Sequence, residues 1–244
     1  MNERIVSTSN PRIKDLARIL KDQSKNSEPF FLVEGFHIVE MARDAGILEE
    51  VYSIEPNAFK NTTLVSDSVL SKISTTKTPQ GIVGKCRKVV KKLSLKDDVV
   101  FYLDGIQDPG NVGTILRTLL AFNFKEIVVS TDCASLYNPK TLLASQGALF
   151  SLDCQSLSQS ELIRRAKALN YSVISTELDK RAQVYTELKS FKDKIVIVLG
   201  SEGSGVSEVV KRYKQGSIYI PIENIDSLNV GVACGILASV LRQK

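Results

Sequence analysis

The stretch Leu103-Asp104-Gly105-Ile106-Gln107-Asp108-Pro109-Gly110-Asn111-Val112-Gly113-Thr114-Ile115-Leu116-Arg117 decides the fold. An apolar run from Val99 to Leu103 stops at Asp104, the chain turns through Pro109-Gly110, and a helix restarts near Asn111. The texture repeats downstream: apolar runs at Glu126 to Ser130, Ser172 to Ser175 and Ile195 to Leu199 alternate with helical spacing, the pattern of a parallel sheet covered by helices. An α/β domain is expected over residues 98–244. Its last helix, from Ser227 to about Leu241, carries Leu228, Val232, Gly235, Ile236 and Val240 on one face and small residues elsewhere, which predicts close packing.

Toward the N-terminus a second, smaller α/β unit is expected over residues 1–90. Ser9-Asn10-Pro11 reads as a helix start, with Ile13, Leu16, Ala17 and Leu20 at helical spacing. Strands are expected at Phe30 to Val33, Val51 to Ile54, near Leu64-Val65 and at Gly81 to Gly84. A helix from about Gly35 to Gly46 and a short one from Asp67 to Ile73 lie between them. From Lys85 to Lys96 there are six basic residues and no acid, the end of a strand running into a linker at 91–97. These lysines fit a solvated connector as well as a binding surface.

Composition bounds the function. The 244 residues, 43% hydrophobic and 24% charged, suffice for two modest cores, and the net charge of +5 suits an anionic partner or an ordinary enzyme. One histidine, His37, and four scattered cysteines, Cys86, Cys133, Cys154 and Cys234, offer no zinc-site spacing, so no metal is expected. The cysteines read as reduced thiols. No apolar run approaches the roughly 18 residues of a membrane span, and the opening Met-Asn-Glu-Arg lacks the apolar core of a secretory signal. A cytoplasmic protein without membrane association is expected.

Three loops at strand ends hold most of the glycine and polar side chains that could do chemistry. In the first, Arg117 is expected to point back toward the loop past Gly113, or else to pair with Asp108 at the surface. The second, Leu199-Gly200-Ser201-Glu202-Gly203-Ser204-Gly205, is a close-approach loop with a lone acid. It matches neither the phosphate loop nor the dinucleotide fingerprint, which argues against an ATPase and a nicotinamide enzyme. The third, Ile218-Tyr219-Ile220-Pro221 through Ser227-Leu228-Asn229-Val230, ends a strand at a proline and opens the final helix, where Ser227 could serve as a plain N-cap.

Together N-x-G-x-x-x-R, L-G-x-E-G-x-G and I-P-x…S-L-N-V resemble the three signature motifs of the SpoU (TrmH) branch of the SPOUT methyltransferases. The segment Tyr137-Asn138-Pro139-Lys140…Ala144-Ser145-Gln146-Gly147-Ala148 is also similar to family sequence between the first two motifs, and residues 1–90 resemble the ribosomal-protein-like substrate-binding domain that many members carry. Ser201 and Gly231 stand where the family more often has asparagine and serine. The resemblance implies a SPOUT-type α/β fold with a deep trefoil knot, a rare exception to unthreaded chains. It implies methyl transfer from S-adenosylmethionine to a ribose 2′-hydroxyl in RNA, with ribosomal (23S) RNA favoured; a transfer-RNA enzyme or a catalytically inactive RNA-binding module are the alternatives. Carried onto this chain, the catalytic residues are Asn111, Arg117, Glu202, Ser227 and Asn229. Thr176, Leu199, Gly200, Ile220 and Leu228 would hold the cofactor. Arginine is effectively always protonated, so Arg117 fits orienting the ribose phosphate and stabilising an alkoxide better than acting as a base. Arg12, Lys14, Arg18, Lys88, Lys91 and Lys92 are candidate RNA contacts, and the family implies a homodimer through the catalytic domain.

Overall fold

Helix α1 (Pro11–Asp22) begins where the sequence signals it: the Asn10 side chain accepts from the Arg12 N–H at 2.9 Å, and Pro11 occupies the first helical position, where no amide is required. Its Ile13, Leu16 and Ile19 are buried against Leu32, Tyr52, Val65, Val69, Ile73 and Val83. Those partners lie in or next to the elements that follow, which are β1 (Phe30–Glu34), β2 (Leu48–Ser53), β3 (Thr63–Leu64), α3 (Asp67–Lys72) and β4 (Ile82–Arg87), with α2 (Phe36–Asp44) between β1 and β2. The sheet order is β1-β4-β2-β3, antiparallel except for the β2–β3 pair. This computed structural model describes residues 4–242 apart from 57, 77, 90–94, 180 and 191–193.

The remaining elements are β5 (Val99–Asp104), α4 (Pro109–Ala121), β6 (Glu126–Val129), α5 (Pro139–Ser145), β7 (Asp153–Ser156), α6 (Gln159–Ala168), β8 (Ser172–Thr176), β9 (Gln183–Val184), β10 (Ile195–Gly200), α7 (Glu208–Tyr213), β11 (Gly216–Tyr219) and α8 (Val230–Arg242). Seven strands form one sheet in the order β7-β6-β5-β10-β8-β11-β9, and every pairing is parallel. Central β5 and β10 are buried through Val100 to Leu103 and Ile195 to Leu199, which explains their unbroken apolar text. Their register pairs Gly200 with Asp104, so the first two motif loops leave the sheet side by side. Among the described residues no helix is long and apolar enough to cross a membrane.

Several local expectations are corrected. Pro109-Gly110 is not a turn before the helix but its first turn: Asp108 is the N-cap, accepting the Asn111 N–H at 3.0 Å. Ser227 does not open the last helix, which starts at Val230 behind Asn229. Strands β7 and β9 lacked an apolar signature because they are polar edges, with sequences DCQS and QV.

The chain folds as two compact units, one of residues 1–90 with 135–150 and the other of 91–134 with 151–244. The expected continuous stretch 98–244 therefore lends its α5 segment to the first unit. There Tyr137 and Phe150 stack on Phe31 with ring centroids 5.0 and 6.1 Å away. The fully buried Gln23 amide donates to the Tyr137 carbonyl at 2.9 Å and accepts from Leu32 N–H at 3.0 Å, a link no periodicity could show. Of the expected linker 91–97, residues 91–94 lie outside those described.

Candidate active site

The three motif loops meet in a closed triangle of side chains. Asn111 Nδ2 donates to Glu202 Oε1 at 3.0 Å; Asn229 Nδ2 donates to the same oxygen at 2.9 Å and to Asn111 Oδ1 at 3.0 Å. The Asn229 amide has a fixed orientation, because its Oδ1 caps α8 by accepting from Gly231 N–H at 2.9 Å, which turns Nδ2 toward Glu202. One residue thus ends a strand-to-helix loop and orients a carboxylate. Both donors to Glu202 are neutral, so its negative charge is held in place but not cancelled. Its Oε2 has no hydrogen bond among the described residues.

Glycine makes the close approach. A Cβ on Gly200 would lie 2.4 Å from the Gly205 carbonyl carbon, because the loop doubles back through paired 3.0 Å bonds between Ser201 and Gly205. Asp104, buried at the end of β5, was not anticipated as a positioning residue: Oδ2 accepts from Ser207 N–H at 2.7 Å and Oδ1 from Gln159 at 3.0 Å. It ties the first motif strand to the chain just after the second motif. A charged residue at the tip of a buried strand was the available signal.

Two cavities share the Ser201 to Gly205 turn as a wall. One, about 450 Å³, is an apolar cleft that includes all five expected cofactor residues, Thr176, Leu199, Gly200, Ile220 and Leu228, together with Glu202 and Ser227. Thr176 spends its hydroxyl on the Val198 carbonyl at 3.0 Å, so its methyl is what remains for a ligand. Ser227 is exposed and bonded to no described residue, which removes the N-cap alternative and leaves its hydroxyl free at the cleft. Sequence reasoning missed Ile218 and Ile222, flanking Ile220 at strand period, and Ala233 and Leu237, at helical spacing from Val230; both patterns were present in the text. The other cavity, about 460 Å³, is polar and lined by Asn111, Asp104, Asp108, Asp132 and Glu202.

Arg117 is not brought to this triangle. Six residues beyond Asn111 on α4, it lies about 9 Å further along the axis and well round the helix. It is exposed, lines neither cavity and forms no ion pair with Asp108. The adjacent face of α4 is closed by α8, where Gly231 and Gly235 sit opposite Thr114 and Thr118.

The RNA candidates lie in the first unit. Arg12 donates to Glu50 at 3.0 Å and to the Tyr52 hydroxyl at 3.3 Å, Arg18 bonds Glu28 and Asp15, and Lys88 donates to the Lys25 carbonyl at 2.8 Å while covering the Tyr137 ring. Lys14 is exposed and unpaired among the described residues, whereas Lys91 and Lys92 lie outside them. Burial pushes the Glu50 carboxyl up, but bonds from Lys85, Tyr52 and Arg12 together outweigh it and hold it at about 2. Burial pulls the Lys88 ammonium down.

A parallel α/β sheet with an apolar cleft and a polar triangle at the carboxyl ends of its central strands defines a ligand-binding enzyme of the open-sheet class. The cleft suits a molecule with an apolar body, in size and lining. Residues 98–239 match the SpoU rRNA Methylase family, and the chain belongs to that family. Residues 10–84 match the MRM3-like substrate binding domain. The chain is 29% identical to the 23S rRNA (guanosine(2553)-2′-O)-methyltransferase RlmP of Bacillus subtilis, over 98% of this chain and 99% of that protein. A crystal structure of an RNA 2′-O ribose methyltransferase, 31% identical, superposes with a TM-score of 0.83 over 99% of both chains. An AdoMet-bound rRNA methyltransferase from Sinorhizobium meliloti, 24% identical, shares the fold with a TM-score of 0.88 over 99% of this chain and 97% of that one.

Proposed function

We propose that the protein transfers a methyl group from S-adenosylmethionine to a ribose 2′-hydroxyl of ribosomal RNA in the cytoplasm, working as a homodimer. The carrying observation is the shared wall: Glu202 lines both an apolar cleft and a polar cavity, so a donor on one side and a hydroxyl on the other meet at one carboxylate. When bound, the cofactor supplies an electrophilic methyl on a positively charged sulfur. Leu199, Ile220 and Leu228 would hold its apolar parts, Gly200 gives backbone access, and Ser227 offers a hydroxyl. Asn111 and Asn229 would keep Glu202 in place, with Oε2 facing the ribose hydroxyl as acceptor. In-line attack then depends on positioning, which this wall is suited to supply.

No cation of the kind such chemistry calls for at a phosphate and a developing alkoxide is among the described residues that line the cavity. Arg117 of a second copy is the proposed source, and exposed Val232 on α8 fits burial in the same dimer. The family's deep trefoil knot belongs to this proposal as well.

Incubation of the protein with labelled S-adenosylmethionine and transcribed 23S rRNA, followed by mapping of ribose methylation, tests the proposal. One resistant nucleotide in 23S rRNA is the expected outcome; label entering transfer RNA alone would move the substrate, and no transfer to any RNA would refute the activity.

A further inference from the structure

A third cavity lies far from the triangle in sequence and differs from it in charge. It opens before the N-terminus of α1, measures about 660 Å³, and is lined by Arg4, Ser7, Asn10, Arg12, Asn61 and Thr63 together with Ile5, Val6 and Thr62. Among the described residues no carboxylate lines it, whereas the polar cavity beside Glu202 has four acids and no lysine or arginine among the described residues of its lining. Arg4 uses only Nε, donating to the Val65 carbonyl at 3.1 Å, and keeps its remaining guanidinium donors. Arg12 shares Glu50 with Lys85, so two cations face one carboxylate and a positive charge is left over. The side chains of Asn61 and Thr63 have no hydrogen bond among the described residues. Asn61 sits at φ 64, a left-handed conformation that asparagine tolerates. The positive end of α1, a helix of 12 residues, adds to the same field.

We propose that this cavity is a phosphodiester-binding site that grips the RNA backbone. Two guanidinium groups, unspent amide and hydroxyl donors and a helix N-terminus, with no acid among the described lining residues, are complementary to a phosphate. The proposal rests on the protein acting on RNA. It gathers the expected RNA contact Arg12 into a cavity with Arg4, Asn61 and Thr63, none of which was an expected contact.

The test is binding of transcribed 23S rRNA to the full chain across a salt series. Arg4→Gln is expected to weaken binding and to lower the slope of log affinity against log salt by about 1, the signature of one lost phosphate contact. Asn61→Asp, which retains the left-handed backbone and adds a negative charge to the lining, is expected to weaken binding further. Lys72→Gln, at an exposed position of α3 outside the cavity, removes the same single charge as Arg4→Gln and should leave the slope unchanged. Melting temperature and S-adenosylmethionine affinity, measured on each variant, are expected to match wild type. Wild-type binding with slopes unaltered in Arg4→Gln and Asn61→Asp would overturn the phosphodiester site and leave the RNA activity standing. An equal fall for Lys72→Gln would reduce the effect to net charge and also overturn it. Failure of the wild-type chain to bind RNA would overturn both.

Discussion

Two glutamates, one in each unit, each collect hydrogen bonds from several side chains, and the identity of the donors separates their roles. Around Glu50 two of the three donors are cations, Arg12 and Lys85, with the Tyr52 hydroxyl completing the set. Around Glu202 both donors are neutral amides, Asn111 and Asn229. Neutralised and half-buried, Glu50 stabilises its own sheet. Glu202 is oriented at comparable bond lengths but keeps its charge, which suits it to a ligand bearing a positive sulfur or a hydroxyl. Donor count alone would not have told the two apart.

The largest effect is expected at Arg117, the proposed cation of the Glu202 site. Arg117→Ala should cut turnover by about 10³-fold, comparable to losing a preorganised donor to a developing oxyanion, with S-adenosylmethionine affinity near wild type. Loss of cofactor binding instead would show that Arg117 acts elsewhere. Mixing Arg117→Ala with Glu202→Gln chains sharpens the point: if the arginine works across the dimer, mixed dimers carry one intact site, and activity should recover to about a quarter of wild type on statistical pairing. No recovery would place Arg117 with its own chain's Glu202.

Glu202→Gln by itself isolates charge from geometry, since the amide oxygen can still accept from both asparagines. Turnover should fall by about 10²-fold while the fold and its melting temperature persist. Full activity would mean that the carboxylate only scaffolds the loop, as Glu50 scaffolds its sheet.

The same contrast explains what was legible beforehand. Asn111, Glu202 and Asn229 stood out through the resemblance of their three loops to the family motifs, and a parallel sheet collects such loops at one edge. The strand text of β5 and β10 was equally plain, since both faces are buried. Asn229's double duty was hidden because an N-cap is recognised by residue type, and Ser227 two positions earlier is an equally good type. Placement of α5 with the first unit depends on Gln23 and Phe31 meeting Tyr137 across more than a hundred residues, which local spacing does not encode. The pairing of Arg12 with Glu50 is tertiary in the same way, and the basic face of α1 therefore looked freer than it is.

A smaller effect is expected at Gly200, where the limit is steric. Gly200→Ala forces a methyl against the Gly205 backbone and should destabilise the second unit by about 1–3 kcal/mol, the usual cost of overpacking. Cofactor affinity measured by calorimetry should fall with it, because the same turn walls the cleft. An unchanged melting temperature and affinity would show that the turn relaxes without cost.

The smallest effect is expected at Glu50, and pH gives its sign. A carboxyl held at about 2 in the folded chain against about 4.3 unfolded binds fewer protons when folded, so its contribution is complete above the unfolded value. It is lost as pH falls from there through the folded value. The side chain remains about one-third exposed, so solvent screening keeps the contribution within about 1 kcal/mol. Glu50→Gln should therefore lower the melting temperature slightly at neutral pH and converge with wild type by pH 2, a difference readable by scanning calorimetry across that window. A constant offset at all pH values would mean that Glu50 contributes through packing and hydrogen bonding rather than charge, and the distinction drawn between the two glutamates would then rest on Glu202 alone.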